Sequence, residues 1–138
     1  MIRILALCAL LVNSNADAKL VSLEQLQWQN RIILVQCDSV QCQHASTQQL
    51  EQAELAVQDR HIVWFVTTSE HISTNALAPL SEQLQTVLRS NTLARPQTLL
   101  IGKDGAIKRR DKVLQLQVLL KQIDRMPMRQ AEIAWHSI

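Results

Sequence analysis

The chain has 138 residues with 14 Lys and Arg against 12 Asp and Glu, and its aromatic residues are three Trp and one Phe. That length supports one hydrophobic core, and no Pro/Gly-rich linker divides it into two domains. Residues 95–138 are the basic part, with nine Lys and Arg against four Asp and Glu, but the near absence of aromatic side chains there excludes a stacking platform for nucleic acid.

In chain order, Arg3 is followed by an apolar core, Ile4–Val12, and a polar stretch ending in Ala16-Asp17-Ala18. This is the three-part pattern of a secretory signal peptide. The apolar run is far shorter than the roughly 20 residues that span a bilayer. Residues 1–18 are therefore expected to be removed, leaving 19–138 as a single exported domain, periplasmic or secreted, without a membrane span. Leu7 before Cys8 is too large for a lipoprotein box.

Ser22-Leu23-Glu24-Gln25 reads as a capping box opening a short helix. Trp28 is expected to seal that helix against the sheet. Ile32–Val35 is an apolar run of strand length, suited to burial on both faces. Ser46-Thr47-Gln48-Gln49 is a second capping box, after which Leu50, Ala53 and Val57 fall on one helical face. His61–Thr67 is the second β-rich run, with Trp64 in the core. Pro79 suits a helix first turn, and Leu80, Leu84, Val87 and Leu88 follow helical spacing. Thr98–Ile101 and Ala106–Arg109 flank a turn containing Asp104-Gly105, the signature of a hairpin. Asp111 can cap a last helix with Val113, Leu116, Leu119, Leu120 and Ile123 inward, interrupted at Met126-Pro127.

The order is thus a short helix, then β-α-β, α, β-β, α. Strands 31–37 and 61–67 should be parallel neighbours joined by a right-handed crossover. Strands 97–102 and 105–110 should form an antiparallel hairpin. Four strands in a mixed sheet with helices on both faces is the thioredoxin-like arrangement, with Leu34, Trp64, Leu100 and Leu119 buried.

Three stretches carry a family resemblance: residues 23–37, LLIGKDGAIKRR at 99–110, and IDRMPMRQAEI at 123–133. They resemble the bacterial P-DUDES family, prokaryotic relatives of a domain in animal sushi-repeat and equarin-type proteins. The most specific pieces are IGKDG with its basic strand and the Asp-x-Met-Pro-Met-Arg ending. The resemblance implies a thioredoxin-like fold and export. It implies no assigned activity, and the family typically lacks the thioredoxin Cys-x-x-Cys.

The chemistry centres on LVQCDSVQCQHAS, residues 34–46. A thiol between a strand end and a helix start is where redox enzymes keep a nucleophile. On the thioredoxin plan Cys42 takes roughly the place of the attacking thiol, but Ala45 stands where the resolving cysteine belongs. Gln97 precedes Thr98 where thioredoxins place a cis-proline, so Pro96 stands one residue early. Cys42 at a helix N-terminus, with His44 nearby, could still be held as a thiolate. Ser39-Val40-Gln41-Cys42 also fits the pattern around a peroxidatic thiol, with Arg95 as a candidate cation, although Val35 replaces the usual proline.

Three states of the cysteines stand open: a catalytic Cys42, a Cys37–Cys42 disulfide, or a buried Cys37 beside a free Cys42. A disulfide suits an oxidising compartment, provided that Cys37 and Cys42 come within about 7 Å at Cα. Cys37, Cys42 and His44 match no established zinc spacing, so no metal is assigned. The only two glycines belong to the hairpin, so no phosphate loop or cofactor site is read from the chain. His61, His71 and His136 are expected at the surface.

Two functions follow. The first is an exported binding or interaction module whose partner is unknown, another exported protein being the expected class. The second is a thiol-dependent redox enzyme, a peroxidase or atypical disulfide reductase, using Cys42.

Overall fold

A computed structural model describes residues 18–90 and 92–136. The expected signal sequence therefore lies outside the described residues, apart from Ala18. The fold is mixed α/β. Five strands, β1 (Arg31–Gln36), β2 (Ile62–Thr67), β3 (Ile72–Thr74), β4 (Gln97–Ile101) and β5 (Ile107–Asp111), form one sheet in the order β3-β2-β1-β4-β5. Among the described residues, five α-helices accompany them: α1 (Val40–Gln52), α2 (Glu54–Asp59), α3 (Glu82–Ser90), α4 (Leu116–Asp124) and α5 (Pro127–His136). A 3-10 turn, Leu23–Leu26, precedes β1.

The period-2 alternation of β1 divides the core. Ile33, Val35 and Cys37 face a layer built from Leu50, Val57, Leu116, Leu119, Leu120 and Ile123. Ile32 and Leu34 face the other layer, with Leu20, Leu84, Leu88 and Leu99. Burial on both faces is why Ile32–Val35 reads as a continuous apolar run. β1 and β2 are parallel, with Ile33 opposite Trp64. β1 and β4 are antiparallel, with Ile33 opposite Leu100. The β4–β5 hairpin turns through Gly105 at φ +83°, a conformation in which glycine carries no Cβ penalty. Leu34, Trp64, Leu100 and Leu119 are all buried. Among the described residues, no helix is long and apolar enough to cross a membrane.

Five expectations need correction. The sheet has five strands, not four: β3 pairs antiparallel with Phe65–Thr67. Beyond it, Asn75 takes over the open edge of β2, its Oδ1 accepting from the Trp64 N–H (2.8 Å) and its Nδ2 donating to the Ile62 carbonyl (3.0 Å). Helix α1 starts at Val40 under a Ser39 cap, and Ser46 is a buried residue inside it. Pro79 does not open α3. Its carbonyl accepts from the Leu20 N–H and the Ser81 N–H donates to Leu20 O, so this segment bridges to Leu20 first. Ser81 then caps the helix, its Oγ accepting from the Leu84 N–H, and Val87 is exposed. Asp111 stays in β5 opposite Thr98, so α4 begins only at Leu116; Leu114 is buried and Val113 is exposed. Trp28 adopts φ +70° and is exposed, because its N–H turns to donate to the Lys103 carbonyl (2.6 Å).

Candidate functional site

Two constellations sit at opposite ends of β1. They are about 20 Å apart at roughly 3.3 Å per strand residue.

At the C-terminal end, Cys37 follows β1 directly and is buried, its N–H donating to Thr67 O (2.7 Å). The chain turns within Asp38 and Ser39. The Ser39 side chain caps α1 by accepting from the Cys42 N–H (3.1 Å), which brings Cys42 back over the strand end. The result is a Cys37–Cys42 disulfide, with S–S 2.11 Å and Cα atoms 5.5 Å apart. The separation lies inside the bridging limit because α1 starts so early. Ser46 Oγ lies 3.9 Å from the Cys37 sulfur, one turn further along. Cys42 is half-buried, while His44 and Ala45 are exposed.

Arg95 joins this end as a strut. Its Nη1 donates to Cys37 O (3.2 Å), Thr67 O (2.7 Å) and Thr67 Oγ1 (3.0 Å), and its Nη2 donates to Leu88 O (2.9 Å). Burial lowers its pKa. The Arg95–Pro96 peptide is cis, and Pro96 directly precedes β4, which begins at Gln97. The proline is one residue early only when counted from Thr98. A cleft of about 370 Å³ opens here, lined by Asp38, Ser39, Gln43, His71 and Arg95 among others. Chemically, the closed disulfide has no thiolate to offer. The arginine that could support one is already engaged by backbone and hydroxyl oxygens of Cys37, Thr67 and Leu88.

The N-terminal end holds residues that reading of motifs and spacings did not select. Arg31 is 1% exposed and grips Glu132 with both terminal nitrogens, each at 3.1 Å. Lys103 donates to Glu132 Oε1 (2.5 Å), and Arg129 Nη1 lies 3.6 Å from Oε2. Arg129 also donates to Asp59 Oδ2 (2.6 Å) and Asp124 Oδ1 (3.2 Å), and Arg60 forks onto Asp124 (3.0 and 2.9 Å). Burial pushes the Glu132 carboxyl up, but hydrogen bonds from Arg31 and Lys103 outweigh it and hold it at about 2. The Asp124 carboxyl is lowered chiefly by the Arg60 hydrogen bond.

His61 belongs to this end too, with its Nδ1 2.8 Å from Lys103 Nζ. Its pKa is lowered first by burial and then by Lys103, against the pull of Glu132. The ring is therefore neutral near pH 7 and accepts at Nδ1, so its 3.8 Å approach to Glu132 is not an ion pair. Two signals pointed here: Lys103 lies within IGKDG, and Asp124 and Arg129 within the Asp-x-Met-Pro-Met-Arg ending. Among the described residues, no group of three His, Cys, Asp or Glu side chains could hold a metal ion.

A family model described as a domain of unknown function, DUF4174, matches residues 22–132. No curated protein and no solved structure matches the chain.

Proposed function

The chain belongs to the DUF4174 family of domains of unknown function, and from that premise we propose that it is an exported, thioredoxin-like interaction module rather than a redox enzyme. The parallel β1-α-β2 unit beside an antiparallel β4–β5 hairpin supports the thioredoxin-like reading, with β3 as an added edge strand. Kinship with the P-DUDES domains fits as well, because IGKDG and the Asp-x-Met-Pro-Met-Arg ending both fall within the matched residues. The Arg3, Ile4–Val12 and Ala16-Asp17-Ala18 pattern supports export.

The observation that carries the reading is the closed Cys37–Cys42 pair, in which Cys37 is buried. In a dithiol enzyme the attacking sulfur is exposed and a second thiol lies one helical turn further on. Here that position is Ala45. In a thiol peroxidase a cation stabilises the sulfur, and here Arg95 is held by the oxygens of Cys37, Thr67 and Leu88. The disulfide ties the end of β1 to α1 as a clamp. Two of the three tryptophans, Trp28 and Trp135, stand in solvent, which suits a protein that meets a partner.

The test compares the prereduced protein with a Cys42→Ser variant in peroxide consumption and in glutathione-dependent reduction of insulin. Neither protein should turn over above the uncatalysed rate. Turnover that disappears in Cys42→Ser at an unchanged thermal midpoint would replace the module by the enzyme.

A further inference from the structure

Between the β4–β5 turn and the α4–α5 junction lies a cavity of about 490 Å³. We propose that it binds a small molecule carrying a phosphate monoester. This inference uses the end of the sheet remote from the disulfide and does not depend on the interaction-module reading.

Charge is the first ground. Arg31, Lys103, Lys108 and Arg125 line the cavity against a single carboxylate, Asp104. Asp104 is engaged by Lys108 (2.8 Å), and Glu132 behind the wall engages Arg31 and Lys103. Arg125 is the cation left over: it is exposed, and its guanidinium has no partner among the described residues. A low-dielectric wall with surplus positive charge draws an anion.

The second ground is a donor without an acceptor. Arg31 is 1% exposed, and its two Nη atoms are used on Glu132 and the Arg60 carbonyl. Its Nε has no hydrogen-bond partner. That Nε is sealed from solvent, so what Arg31 adds to the cavity is positive charge that its own hydrogen bonds do not spend.

Helix α5 supplies a third. It is ten residues long and starts at Pro127, with the Gln130 N–H donating to Met126 O. Proline at the first helical position has no N–H, and the next N–H groups, of Met128 and Arg129, have no partner within the helix. Pro127 and Met128 border the cavity, so the positive end of this helix faces it. A tetrahedral dianion can accept from the Arg125 guanidinium and the helix amides together, beside the positive charge of Arg31, whereas a carboxylate has fewer acceptor sites to share among them. Met126, Pro127 and Met128 form an apolar wall, which suits an organic phosphate better than a bare ion.

Methyl-13C methionine NMR reads the site directly. The chain has three methionines, Met1, Met126 and Met128, and the last two line the cavity. At constant ionic strength, glycerol 3-phosphate and inorganic phosphate should shift both cavity methyls saturably, glycerol 3-phosphate at the lower concentration, and acetate should not. Arg125→Gln should weaken binding at least tenfold without moving the ligand-free melting midpoint. Lys112→Gln removes an equal charge outside the cavity and should leave the affinity unchanged. Absence of saturable shifts, equal shifts with acetate, or equal weakening in both variants would overturn the proposal.

Discussion

Glu132→Gln removes one negative charge from the centre of three buried cations. Arg31, Lys103 and Arg129 are 1%, 8% and 5% exposed, and each lies within 3.6 Å of a Glu132 oxygen. Breaking a buried pair by deleting one partner costs about 3–5 kcal/mol, because the charge left behind has lost both water and its counterion. Titration gives a second route to the magnitude. The Glu132 carboxyl is lowered from 4.5 to about 2, which at about 1.4 kcal/mol per unit corresponds to about 3 kcal/mol. A depressed carboxylate stabilises the fold fully above its unfolded pKa and loses that contribution as pH falls through the folded one. Urea unfolding of the wild type and Glu132→Gln should therefore differ by about 3 kcal/mol at pH 6. The gap should hold down to pH about 4.5 and close as pH falls through about 2, below which both side chains are neutral. A difference below about 1 kcal/mol at pH 6, or one that stays constant down to pH 2, would refute the assignment of Glu132 as the keystone of the network.

Leu100→Ala empties a fully buried site in the central layer and should cost about 2–5 kcal/mol in urea unfolding; a loss under about 0.5 kcal/mol would mean the β4 register is wrong. Asn75→Ala leaves the Trp64 N–H and the Ile62 carbonyl without their carboxamide partner, and the thermal midpoint should fall by the equivalent of about 1–3 kcal/mol. An unchanged midpoint would mean that water serves that edge equally well. The Cys37→Ser, Cys42→Ser double variant should fold and lose about 2 kcal/mol, the loop-entropy value for so short a ring, as measured by denaturant unfolding without reductant. A loss above about 5 kcal/mol would show that the disulfide does more than tie β1 to α1.

Local signals made the central sheet readable. Ile32–Val35 and His61–Thr67 are dense in β-branched and apolar residues, and Asp104-Gly105 writes its turn into two positions. The start of α1 read two ways, because two serines compete for the cap, and the reading that put Cys42 at a helix N-terminus is the one the structure bears out. Ser46 has Gln49 three residues on and so matches the capping-box pattern, whereas Ser39 is followed by Cys42. The disulfide and the burial of Ser46 decide the matter, and both are tertiary. Strand β3 is three half-buried residues, held by β2 rather than by any pattern of its own. Trp28 looks like core in sequence but lies at a left-handed turn that points it outward. The ion network was least visible. Arg31 and Glu132 are 101 positions apart, and no periodicity links them. Their neighbours announced themselves only as distinctive motifs, IGKDG and the Asp-x-Met-Pro-Met-Arg ending.

Intact mass of the protein recovered from its native host, alkylated first without and then with reductant, tests the exported, clamped module most directly. The account predicts a chain beginning at Lys19 that takes up no alkylating agent until it is reduced, and then two equivalents, at Cys37 and Cys42. A chain retaining Met1 in the cytoplasm, or Cys42 alkylated without reductant, would contradict it.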